Sequence, residues 1–115
     1  MKKNTISKII IASHNRDKVK EISYYLSSAN IKTIPAYKLD VPEPVESENT
    51  FSGNALLKAN HTVLSTGLTS LGDDSGLVVP SLNGAPGIFS ARWGGKKKDF
   101  GLAMQKVYNK VKKKN

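Results

Sequence analysis

The feature that most constrains this chain lies between Lys8 and Ala29. The run KIIIAS is short and β-branched, as a buried strand requires. It passes through a polar turn, His14 and Asn15, into a stretch where Val19, Ile22, Leu26 and Ala29 recur at spacings of three and four, which is one face of a helix. A strand period that turns at once into a helix period needs two kinds of element packed on each other. IKTIPAYKL, residues 31–39, supplies the next strand candidate.

The alternation continues along the chain. DVPEPVESEN, residues 40–49, contains two prolines and three glutamates and reads as an exposed loop. A helix is predicted from about Thr50 to Ser65, with Phe51, Ala55, Leu56, Ala59 and Val63 on one side and Gly67 as its stop. TSLGDD and GLVVPSL, on either side of Ser75, are strand-like. NGAPGIFSARWGG, rich in glycine, reads as a shaped loop. Phe100, Ala103, Met104, Val107, Tyr108 and Val111 trace a last helical face, with lysines at its C-terminal end. This order predicts an α/β layered domain, one domain over residues 1–115 with no linker.

Composition narrows the function classes. With no cysteine there is no disulfide framework, zinc knuckle or thiol nucleophile. The formal charge of +9 raises the question of nucleic acid, but sixteen of the eighteen basic residues are lysine, and no aromatic pattern of an RNA-binding sheet is visible. The excess reads as solvated surface plus a basic tail, so nucleic acid is not the expected partner. The start of the chain is charged and then apolar, yet IIIA is too short for the core of a secretory leader. No stretch approaches the ~20 apolar residues of a membrane span. The expectation is a soluble, cytoplasmic chain without membrane contact.

Two places hold candidate chemistry. Ser13, His14, Asn15 and Lys18 form the turn after the first strand, where an open α/β sheet binds ligands and a helix N-terminus offers N–H groups to an anion. The same residues equally make a plain helix cap at Asn15. Asp73 and Asp74 end a strand-like run. Neighbouring strand residues face opposite ways, so one carboxylate would face a site and the other the turn. A site-facing aspartate suits a hard divalent cation or a water aligned on a phosphate, while Asp-Ser-Gly is also ordinary turn chemistry. A serine nucleophile is excluded, since the pattern is G-D-D-S-G rather than G-x-S-x-G.

Taken in order, ASHNRDKVKEI, ESENTFSGNALLKA, LGDDSGLVV and LNGAPGIFSARWGG resemble the successive motifs of the inosine-triphosphatase-like family of nucleoside triphosphate pyrophosphatases. The resemblance implies a central mixed sheet flanked by helices, and Mg2+-dependent hydrolysis of deaminated purine nucleoside triphosphates (ITP, XTP, dITP) to monophosphate and pyrophosphate. It implies that Ser13, His14, Asn15 and Lys18 cradle the triphosphate and that Lys58 reaches phosphate. It further implies that Glu46 and Asp74 hold the metal, Asp74 acting also as general base with Ser75 beside the substrate. This chain departs from the family pattern at Glu48, where glycine is usual, at Gly53, where an acid is usual, and at Gly72, where alanine is common.

The family continues into a second half that recognises the base, whose motifs are not found in residues 96–115. The chain therefore resembles the N-terminal part of such an enzyme, a partial domain. The alternatives are a non-catalytic fragment or split-protein half that docks a separate C-terminal part, and a basic nucleic-acid binder. A homodimer is the other expected partnership.

Overall fold

The computed structural model describes residues 7–114; the charged start of the chain, considered above as a leader, and Asn115 of the basic tail lie outside the described residues. Two compact units are present, the first made of Met1–Glu48 and Ser52–Asp73, the second of Asn49–Phe51 and Asp74–Asn115.

The first unit is built on three strands, β1 (Lys8–Ile11), β2 (Lys32–Pro35) and β3 (Ser70–Leu71), in the order β2-β1-β3. Both pairings are parallel, with Ile10 opposite Ile34 on one side and Ser70 on the other. The mixed sheet that was expected is thus a parallel one among the described residues. The central strand has neighbours on both edges, which is why its β-branched run is buried: Ile10 and Ile11 are fully inaccessible. Ile10 packs with Ala36, Val41 and Ile34.

Helix α1 (Arg16–Ser27) connects β1 to β2 and buries Val19, the centre of its apolar face. β2 is shorter than its apolar run because Pro35 has no N–H to donate. A 3₁₀ turn over Ala36–Leu39 follows, closed by Asp40 in the left-handed region at φ 56°. Residues 41–49 contain no helix or strand, as expected of that loop, although Val41 is buried.

Helix α2 (Phe51–Thr66) forms within a residue of the predicted span, and of its predicted face Phe51, Ala55 and Ala59 are half-buried. Leu56 and Val63 are exposed, while the buried residues are Asn54 and Thr62. With Lys58 half-buried between them, the inward stripe at spacing four is polar. β3 stops at Leu71, where the predicted strand ran on to Asp74. The reason is contact. A Cβ on Gly72 would overlap the Ala55 carbonyl oxygen and crowd the Ala59 nitrogen of α2.

Among the described residues the second unit has no strand. GLVVPSL does not form the expected strand: Val78 makes one isolated antiparallel bridge with Pro86, and Pro80 opens a 3₁₀ turn over Pro80–Leu82. The glycine-rich stretch is shaped by two further 3₁₀ turns, Gly87–Phe89 and Arg92–Gly94. Helix α3 (Phe100–Lys114) is capped by Asp99, whose Oδ1 accepts the Leu102 N–H at 3.1 Å. Of its predicted face, Ala103 is buried, whereas Phe100, Met104 and Tyr108 are exposed.

Candidate active site

In a parallel sheet the carboxyl ends of the strands share one edge, and the turn after β1 leaves there, as does the turn after β3 through Gly72 and Asp73. This is the edge at which open α/β sheets receive ligands. Four of the expected residues lie in the turn after β1 or on the first turn of α1. Ser13 is buried, and its Oγ accepts the Asn15 N–H at 3.2 Å. Asn15 is the N-cap of α1, its Oδ1 accepting from the Asp17 and Lys18 N–H groups at 3.1 and 3.2 Å. The cap therefore occupies two of the N–H groups that an anion would seek there, leaving the Lys18 ammonium as the group able to reach outward. Lys18 Nζ lies 4.0 Å from Glu21, a half-exposed pair of small energetic weight.

His14 is directed inward onto the acidic loop, its Nε2 donating to the Val41 carbonyl at 3.0 Å. Glu46, from the same loop, meets Lys58 of α2, with Nζ to Oε1 at 3.4 Å and both side chains mostly buried. Lys58 can reach the loop because it belongs to the polar inward stripe of α2. One helical turn earlier on that stripe, Asn54 grips the loop backbone: its Oδ1 accepts the Glu48 N–H at 3.0 Å and its Nδ2 donates to the Glu48 carbonyl at 3.4 Å. Asn54 was not among the residues expected from the sequence. An asparagine in the first turn of a helix, the fourth residue of α2, next to an acidic loop, was the signal available.

Asp74 and Ser75 open the longer segment of the second unit. The Oδ2 atom of Asp74 is buried and accepts no hydrogen bond, while the residue has other contacts. The Gly76 backbone passes so close to Ser90 and the Gly87 carbonyl that no side chain would fit. Ser90 fixes this approach, its Oγ accepting the Leu77 N–H at 2.8 Å and donating to the Gly87 carbonyl at 2.6 Å. Ser90 is the second functional candidate that motif reading passed over, and it holds the turn that follows Ser75.

The donor chemistry fits a magnesium-type ion. Such an ion takes one or two carboxylates and fills its remaining positions with water and phosphate. No group of three or more His, Asp or Glu side chains gathers among the described residues. Glu46 already accommodates a cation, the Lys58 ammonium.

Comparison with known proteins decides the family. The model of the Ham1 family matches residues 9–115. The chain belongs to the Ham1 family. The inosine-triphosphatase-like resemblance of its motifs is borne out. The chain is 57% identical over 100 residues to a dITP/XTP pyrophosphatase of Rhodospirillum centenum, covering 86% of this chain and 49% of that protein. It is 52% identical over 105 residues to a dITP/XTP pyrophosphatase of Caulobacter vibrioides, covering 91% and 54%. Among solved structures, a HAM1 protein from Coxiella burnetii superposes with a TM-score of 0.80 at 40% identity, over 94% of this chain and 55% of that one. The α/β fold of this Ham1-family chain is thereby shared with solved relatives. The chain spans about half the length of the curated relatives it matches. Among the described residues, no helix is long and apolar enough to cross a membrane.

Proposed function

We propose that this chain carries the triphosphate- and cation-handling residues of a nucleoside triphosphate pyrophosphohydrolase acting on deaminated purine nucleotides, dITP, XTP and ITP. The relatives that match it at 57% and 52% identity are named dITP/XTP pyrophosphatases, which supports the substrate class. The observation that carries the chemistry is the Glu46–Lys58 pair at 3.4 Å, a carboxylate and an ammonium held together at low exposure. Glu46 is proposed as a ligand of Mg2+, and Lys58 as a phosphate contact.

When bound, Mg2+ would supply charge neutralisation on the triphosphate. The chain's own groups do the rest. Lys18 and Lys58 bind phosphate oxygens, and Ser13, His14 and Asn15 shape the turn that receives them. Asp74, proposed as a second metal ligand and as the general base, takes a proton from the water that bonds to the α-phosphorus as the bond to the departing pyrophosphate oxygen breaks. Ser75 sits beside the substrate in this scheme. The nucleotide is the proposed partner, acted on in solution.

The test is pyrophosphate release from dITP and XTP in Mg2+, comparing the chain with Asp74→Asn. A general base contributes about a hundredfold or more, so the variant should be slower by at least that factor. Equal rates for the two would overturn the assignment of Asp74.

A further inference from the structure

We infer that His14, His61 and Asn54 form a clasp that sets the conformation of the acidic loop, residues 41–48, and thereby positions Glu46 against Lys58. The inference rests on the proposed roles of that pair, and it extends to His61, which lies outside every motif quoted above. The loop cannot hold itself. Pro42 and Pro44 have no N–H to donate, and Asp40, Glu43, Glu46 and Glu48 place four like charges within nine residues. Its backbone polar groups must be met from elsewhere.

They are met at both ends. The chain has two histidines, and each donates from Nε2 to adjacent loop carbonyls, His14 to Val41 at 3.0 Å and His61 to Pro42 at 3.1 Å. The carbonyl acceptors require the Nε2–H form in each ring. At the far end, Asn54 makes both of its bonds to one residue, Glu48, and is 1% exposed. Glu46 lies between the anchors. His61, Lys58 and Asn54 all come from α2, spaced so that one helix face serves the loop at its entry, at its carboxylate and at its exit. Without the clasp, Glu46 would sample many orientations, and a ligand carboxylate that must be ordered on binding binds a cation more weakly.

The inference is tested by a double-mutant cycle of Glu46→Gln and Lys58→Met, followed by urea unfolding in three backgrounds: wild type, His61→Ala and Asn54→Ser. Mn2+ binding to each folded variant is titrated in parallel by electron paramagnetic resonance. In the wild-type background the pair should show a coupling of about twofold or more in the unfolding equilibrium. The coupling should vanish in both clasp variants, and Mn2+ affinity should fall about tenfold or more, as for loss of other groups that orient a metal ligand. His61→Gln, which keeps an N–H donor, should restore both. His61→Ala removes a partly exposed side chain, so it keeps the test decisive if Asn54→Ser does not fold. Coupling of unchanged size in the clasp variants, or no coupling in wild type, overturns the inference. If coupling is lost as expected but Glu46→Gln leaves Mn2+ affinity unchanged, the clasp stands and the cation role proposed for Glu46 falls.

Discussion

The first unit buries Ile10, Ile11, Val19, Ala36 and Val41 around a parallel sheet, and turns a polar stripe of α2 toward its acidic loop. The second buries little beyond Pro86, Gly94 and Ala103, and is held by tight turns and single side-chain bonds such as those of Ser90 and Asp99. It also carries nine of the eighteen basic residues but only two of the nine acidic ones, Asp74 and Asp99. The difference teaches where each kind of information sits. A unit stabilised by buried area tolerates surface change and fails at a few large side chains. A unit stabilised by turns depends on small residues and local donors instead.

The sharpest way to break that contrast is Ile10→Ala. Ile10 is fully buried on the central strand, so the change should cost about 2–5 kcal/mol, read from the urea midpoint. A cost below about 1 kcal/mol, the range of a surface change, would mean that the sheet is not the main source of stability in its unit. Next is Gly72→Ala, which places a methyl group against the Ala55 carbonyl and should cost about 1–3 kcal/mol by overpacking. A neutral Gly72→Ala would show that β3 and α2 separate readily. The smallest effect probes the second unit. Asp99→Ala removes the cap of α3 and should cost about 1 kcal/mol, measurable as lost helical circular dichroism and a lower midpoint. Were Asp99→Ala to cost as much as Ile10→Ala, the second unit would depend on its cap to a degree its turns do not indicate.

Much of the fold was legible before any coordinates. β1, α1, α2 and α3 lie within a few residues of where hydrophobic period and capping chemistry put them, because those signals are local. Asn15 was read as a possible cap, and it caps. The failures have one cause. TSLGDD and GLVVPSL have strand composition, but a strand also needs a partner, and partners are chosen by the tertiary structure. Only Ser70 and Leu71 find one beside β1, and Val78 finds a single bridge. The same cause hid the working face of α2. Leu56 and Val63 follow a helical apolar period yet lie exposed, while Asn54 and Lys58 turn inward to a loop that is acidic and short of its own donors, and buried Thr62 bonds the Lys58 carbonyl.

The sequence by itself determined β1 and the three helices, the α/β class and the family, because periodicity, caps and ordered motifs are written along the chain. Only the tertiary structure decided which carboxylate meets which lysine, that both histidines serve one loop, and that Gly72 must lack a side chain. Those outcomes depend on residues far apart in sequence arriving within a few ångströms of each other, and no local pattern encodes such distances.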